Sequence, residues 1–246
     1  WLDGTIRILD NDLREPGDQL TARLEADPDC GYLLLAKAEE VLAAGDPDSA
    51  RDLLRRATAN DPGLVAAWER LGDTMMGEDT EQARWSYLKA LRAVRLPAPY
   101  PTIHSPTPAL ITTLSNLFPA GDPAWERELI HLIDESISDV NSYEELAFVE
   151  ATAVALGKAH LSRHDRSAAH EVLVDIIERA RSFQLRGPLS DVVLMLARIE
   201  ADLGHHDDAE RRLRMLRIAP PPLADKARMQ IGAIAVSRQE PWSEEI

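Results

Sequence analysis

The residues best equipped for chemistry lie together near the end of the chain, where Gly204 to Leu213 reads GHHDDAERRL. Two histidines followed by two aspartates suggest a metal. Adjacent side chains project in different directions, however, and tetrahedral zinc needs further ligands converging from elsewhere. His160 and His164 are a sharper case. Four residues apart, they share one face of a helix, with His170 close behind. A catalytic HxxxH pair also places Glu directly after its first histidine; here that residue is Leu161. The expectation is therefore structural: His160 packs at a helix pair, His164 sits in a turn, and no metal or cofactor is bound.

Other chemistry is thin. Cys30 is the sole cysteine, which rules out an internal disulfide and a Cys-based zinc cage. It sits at an expected helix start with no base placed near it, as a catalytic thiol would need. The acid pairs Asp134-Glu135 and Glu144-Glu145 are sequence neighbours and point apart on a helix, as solvated faces do. No GxGxxG, GxxxxGK[ST] or GxSxG string occurs. No catalytic residue is expected, and the chain is read as a non-enzyme.

Acidic residues outnumber basic ones 42 to 27, a formal charge of −15. A nucleic-acid binder neutralises phosphates with clustered Lys and Arg; here the basic residues are interleaved with acids, so direct nucleic-acid binding is not expected. Hydrophobic residues make up 45% of the 246, enough for a sizeable core. No apolar run reaches the length of a spanning helix, so no membrane partner is expected. The opening WLDGTIRILD lacks the basic-then-apolar order of a signal peptide. With the single cysteine, this makes a cytoplasmic location the expectation.

What must position these residues is helical and periodic. Asp27-Pro28 recurs as Asp61-Pro62, 34 residues on. Between them run two helical patterns. The first is apolar at Leu34, Leu35, Ala38, Val41 and Leu42, and ends at Gly45. The second is capped by Asp46, has Pro47 at its first position, and buries Ala50, Leu53, Leu54 and Ala57 before stopping near Asn60. A small residue in a first helix is followed by alanine in the second at a nearly fixed distance. The pairs are Ala38 and Ala50, Gly72 and Ala83, Gly157 and Ala169, Ala197 and Ala209. Apolar residues follow each such alanine four and seven later: Leu54 and Ala57, Tyr87 and Ala90, Leu173 and Ile176, Leu213 and Leu216. Two antiparallel helices touch backbone to backbone only where side chains are small, and larger residues one turn away interlock.

This pattern resembles the tetratricopeptide repeat family, helix–turn–helix units of 34 residues. The resemblance covers residues 31–94 and 150–222, and is carried best by Trp68, Leu71, Gly72, Ala83, Tyr87 and Ala90. Departures are Lys37 in place of the usual Leu, a Gly72 unit one residue short at its turn, and His160 and Glu200 where the family places a bulky residue. In this register GHHDDA aligns with GDPDSA, Gly45 to Ala50. Gly204 caps one helix, an aspartate starts the next, and Ala209 packs at the crossing.

The resemblance implies an all-α superhelix, a solenoid of about twelve or thirteen antiparallel helices. The expected division is a repeat block over 1–95, a proline-rich linker over 96–108 and a second block over 109–246. The linker's prolines forbid a continuous helix, with Trp85 as an aromatic surface for them. Helix resumes over 108–118, then over 123–138 behind Asp122. The link near 182–188 is long, a texture similar to that of helical sensor arms in bacterial multidomain transcription regulators.

Function then is recognition of a peptide or partner domain in a concave groove lined by first helices. Projecting the repeat onto the sequence places Tyr32, Leu35, Glu39, Leu42, Glu69, Asp73 and Met76 in the first block's groove. Val154, Lys158, Leu161, Leu194 and Arg198 line the second. A basic, partly apolar partner is expected for the acidic first half. Family members that hold the acidic tail of a heat-shock chaperone use a Lys, Asn and Arg clamp. Leu35 and Glu39 stand where that clamp would begin, so no such tail is expected here. The alternative is a regulatory or sensor arm of a larger signalling or transcription-regulating protein.

Overall fold

The computed structural model describes residues 17–93, 108–138, 140, 142–183, 189–216 and 221–237, and among these the regular structure is entirely helical. Twelve helices follow in order: α1 (Gly17–Ala26), α2 (Gly31–Ala43), α3 (Pro47–Asn60), α4 (Val65–Met75), α5 (Thr80–Ala93), α6 (Pro108–Leu117), α7 (Pro123–Ser136), α8 (Tyr143–Ser162), α9 (Arg166–Ser182), α10 (Ser190–Asp202), α11 (His206–Met215) and α12 (Pro221–Ser237). None is long and apolar enough to cross a membrane. The proline stretch 96–107 and the link 184–188 lie outside the described residues.

The chain divides into two units, residues 1–110 and 111–246. In the first, α1 to α5 pack successively on one another, with Leu34, Leu54 and Leu91 fully buried. In the second, α7 packs on α8, α8 on α9 and α10, α10 on α11, and α12 on α10 and α11, around Leu129, Ile133, Leu156, Leu173 and Leu196. Phe118, just past α6, stacks on Trp125 of α7 with ring centroids 4.9 Å apart.

The small-residue rule holds throughout. Ala38, Gly72, Gly157 and Ala197 are buried, as are their partners Ala50, Ala83, Ala169 and Ala209. The interlocking residues Leu54, Ala57, Tyr87, Ala90, Leu173, Ile176, Leu213 and Leu216 are buried as well, with Trp68 and Leu71 beside them. Gly72 shows why size matters. A Cβ there would lie 2.8 Å from the Tyr87 ring, closer than atoms pack.

The turn inside a repeat is built the same way three times. At the end of α2, the N–H of Gly45 donates to the Leu42 carbonyl and that of Asp46 to Val41. His164 and Asp165 repeat this on Leu161 and His160, and Gly204 and His205 on Ala201 and Glu200. This is the Schellman arrangement, which consumes the helix's last free carbonyls and puts its first outside residue in the left-handed region. Gly45 and Gly204 take that conformation at φ 85° and 82°; His164 takes it at φ 60° with a side chain to accommodate. The next residue serves both helices, because it is also the N-cap of the following one. Asp46 accepts from Ser49 N–H, and Asp165 from Ala168 N–H. The bonds from Ser49 hold the Asp46 carboxyl below the usual range. The short Gly72 unit departs: Met76 is extended, and Gly77 carries the positive φ one residue later.

Other helix starts confirm or extend the sequence reading. Asp122 accepts from Ala124 and Trp125 N–H ahead of Pro123, and α7 ends at Ser136, two residues earlier than expected. Ser142 and Glu145 form a reciprocal capping box at α8. Helix α10 has no cap of its own; Glu150 reaches across from α8 and accepts from Asp191 N–H at 2.6 Å. Burial raises the Glu150 carboxyl's pKa, partly countered by that bond.

Candidate functional site

The GHHDDAERRL run is a helix–helix turn. Gly204 ends the Schellman motif and α11 begins at His206, so His205 is the N-cap rather than an aspartate. This corrects the expected start, and His205 makes no side-chain capping bond. Its ring instead meets His170 edge-on, centroids 6.1 Å apart. Asp207 and Asp208 fall in the first turn, where negative charge suits the helix dipole. Among the described residues, no three His, Cys, Asp or Glu side chains are gathered to hold a metal ion.

His160 and Glu200, two of the departures from the expected repeat pattern, are the buried hubs of two ion networks. His160 is 9% exposed. Its Nδ1 meets Arg163 Nη2 at 3.0 Å, and its Nε2 lies 3.6 Å from Glu126 Oε1. Arg163 closes the ring on Glu126 at 2.5 Å. Glu200 is 1% exposed and accepts from Arg212 Nε at 2.6 Å, with His170 Nε2 at 3.5 Å. A buried carboxylate needs such partners because desolvating a lone charge costs several kcal/mol, roughly. His164 lies four residues from His160 but at the left-handed turn, so the two do not form a common ligand face.

On the first unit's first-helix face the acids are engaged. Arg70 pairs with Glu39 at 2.5 Å and with Asp73 at 3.2 Å, and Tyr87 Oη donates to Asp73 at 2.6 Å. Burial, and then the Asp73 charge, push the Glu69 carboxyl above its usual value. Burial and the Asp73 bond push the Tyr87 hydroxyl up. Leu35 and Leu42 are half-buried and Met76 is exposed. Tyr32, at 8% exposure, packs into the core. Trp85 is exposed, packs edge-on against Trp68 at 5.3 Å, and has Lys89 Nζ 5.2 Å over its ring. The prolines expected against it lie outside the described residues.

On the second unit's first helices, Val154 and Leu161 are half-buried, while Lys158 and Arg198 are exposed and have no ion pair or side-chain hydrogen bond among the described residues. Leu194 is 7% exposed and packs into the core. Arg198 lines a pocket of about 420 Å³ between α10, α11 and α12, together with Ala197, Ala201, Asp202, His206, Gln230, Ala233 and Ile234. Small side chains make the room. The sequence reading missed Gln230 and Ile234 because α12 lies past the last small-residue pair. The signal available was the apolar spacing of Ala227, Ile231 and Ile234, all buried.

Residues 31–74 match the tetratricopeptide repeat family. No curated protein matches the chain. Among solved structures the chain is similar to YrrB, described as a tetratricopeptide repeat protein with an unusual peptide-binding site, at 14% identity over 89% of this chain and 97% of that one, TM-score 0.44. It is similar to PilW, a type IV pilus biogenesis factor, at 16% identity over 92% and 94%, TM-score 0.48. The Pseudomonas aeruginosa protein pilF gives 14% identity over 93% and 94%, TM-score 0.44. These likenesses concern the fold alone.

Proposed function

We propose that the protein is a non-catalytic scaffold that recognises a peptide or a segment of a partner protein along the exposed faces of its first helices. The observation that carries this reading is the pocket between α10, α11 and α12, open beside the unpaired Arg198 guanidinium. A charged donor that lines a cleft and has no partner among the described residues is available to a ligand. Lys158 occupies the corresponding place on α8, forty residues earlier, and likewise has no ion pair or side-chain hydrogen bond among the described residues.

The first unit offers a different chemistry. Glu39, Glu69 and Asp73 crowd about one cation, Arg70, beside the half-buried Leu35 and Leu42. That surface suits a basic, partly apolar segment. Direct nucleic-acid binding is not part of the proposal, since a charge of −15 opposes phosphate. A cytoplasmic location is proposed with it.

An array of random linear peptides tests the reading. The wild-type chain should retain a sequence-selective subset. A Lys158→Ala/Arg198→Ala variant and a Glu39→Gln/Glu69→Gln variant should each lose part of that subset, with helicity unchanged. Retention of no peptide above background, or identical profiles for all three proteins, overturns it.

A further inference from the structure

Helix α12 opens a repeat that nothing among the described residues completes. Its Ile231-Gly232 pair stands 35 residues past Leu196-Ala197 and repeats Leu71-Gly72 and Leu156-Gly157. Each is a buried Leu or Ile followed by the small residue at which two helices cross. Helix α12 packs on α10 and α11 as α10 packs on α8 and α9. By sequence and by packing it is a first helix. The first helices α2, α4, α8 and α10 each carry a second, namely α3, α5, α9 and α11. No helix follows α12 among the described residues.

The difference shows position by position. Four residues before the small one, Leu34, Trp68, Ala153 and Val193 are buried, whereas Arg228 is exposed. The small residue is buried at 38, 72, 157 and 197, and half-buried at Gly232. Three residues after it, Met75, His160 and Glu200 are buried, while Ala235, like Val41, is half-buried. Beside this stripe Met229 is 68% exposed and Val236 74%. Residues 231 to 236 read IGAIAV, apolar on every side of the helix. A helix that is apolar all round belongs in an interior, yet α12 buries Ile231 and Ile234 and leaves the flank around Gly232 open.

We infer that the flank of α12 centred on Gly232 is a docking surface for one amphipathic helix of a partner protein, which completes the repeat in trans. The chemistry of that helix follows from what covers the same face elsewhere in this chain. Tyr87 of α5 lies over Gly72, and Leu173 of α9 over Gly157, at 2.8 and 3.2 Å from where a Cβ would stand. Both lie four residues past the alanine of their own helix, Ala83 and Ala169. The partner helix therefore carries a small residue that lets the backbones approach, and a bulky apolar one a turn later that fills the space over Gly232. Its facing side is uncharged. Arg228 is already paired with Asp225 at 2.5 Å, and no charged residue lies between Arg228 and Ser237. A formal charge of −15 on each copy opposes the pairing of two such chains, which favours a different protein as the occupant.

The probe is a peptide of the chain's own α9, residues 166–182, with blocked ends; its three arginines balance its three acids. It is titrated into the full ¹⁵N-labelled chain. The amide signals of Gly232, Ala235 and Val236 should move together and saturably. The same peptide with Leu173→Ala should bind about fivefold or more weakly, since it leaves the space over Gly232 unfilled. Gly232→Leu in the chain fills that space from the other side and should weaken binding likewise; leucine is the better helix former, so the fold is kept. Val236→Lys, at an exposed position, is a second variant that leaves the core untouched and should weaken binding too. Equal midpoints for the two peptides, no saturable shift on α12, or shifts confined to the neighbourhood of Lys158 and Arg198 each overturn the inference. Sedimentation of the chain alone should show a monomer at the same concentrations. A dimer that Val236→Lys disperses would give the face to a second copy and overturn it as well.

Discussion

Gly72 and Tyr87 meet as ring on backbone, with a hypothetical Cβ at 2.8 Å from the ring carbons. Tyr87 cannot swing away cheaply, since its hydroxyl is tied to Asp73 at 2.6 Å and its ring is 4% exposed. Gly72→Leu should therefore lower stability by about 1–3 kcal/mol or more, the usual cost of overpacking. Ala209→Leu, at a fully buried crossing, should act likewise. Urea midpoints read both, and two variants that melt with the wild type would mean the crossings are placed wrongly. Glu69 gives the pH dependence. Burial and the nearby Asp73 raise its pKa in the fold, so the ionised carboxylate is disfavoured there. The folded state then holds the proton more readily than the unfolded state, and stability falls as pH rises from the ordinary glutamate value toward the raised one. Glu69→Gln removes that loss. Its Tm should exceed wild type at neutral pH, and the gap should close below the ordinary glutamate value of 4.5. A gap that persists or widens in acid contradicts the assignment.

The helix turns show how local chemistry is reused and where it falls short. All three Schellman turns share one backbone, yet their residues differ. Glycine occupies the left-handed position at 45 and 204, and histidine occupies it at 164. Aspartate caps the next helix at 46 and 165, and histidine stands at 205 without a capping bond. Each histidine is thus the weaker choice at its own position. His164→Gly should stabilise by about 0.5–1 kcal/mol, since a side chain at positive φ costs roughly 1–2 kcal/mol against glycine's own entropy loss. His205→Asp should add about 1 kcal/mol by supplying the missing acceptor. Thermal melts of the two single variants check this directly. A drop in Tm for His205→Asp would show that its contact with His170 matters more than the cap.

At the scale of the whole chain, what was legible in the sequence was whatever repeats. The small-residue pairs and the residues four and seven beyond them are buried in both units, because close helix approach leaves a periodic mark on residue size. Partnership leaves no such mark. His160 and Glu200 were visible as departures, but Glu126, His170 and Arg212, which neutralise or contact them, come from other helices at irregular separations, and Arg163 reaches His160 from the end of its own helix. Tyr32 and Leu194, projected onto the groove, are 8% and 7% exposed: a repeat template gives direction, while burial depends on what the next helix covers. The same division of causes predicts how damage spreads. In repeat arrays stability is approximately a sum of unit terms and nearest-neighbour interfaces. Overpacking one crossing should then loosen its neighbours first. In native-state hydrogen exchange, Gly72→Leu should speed amide exchange across α2 to α5, while the amides of α8 to α11 keep wild-type rates. Ala209→Leu should do the converse, with α10 and α11 affected most. Uniform acceleration throughout the chain by either variant would mean that the two units unfold as one cooperative body.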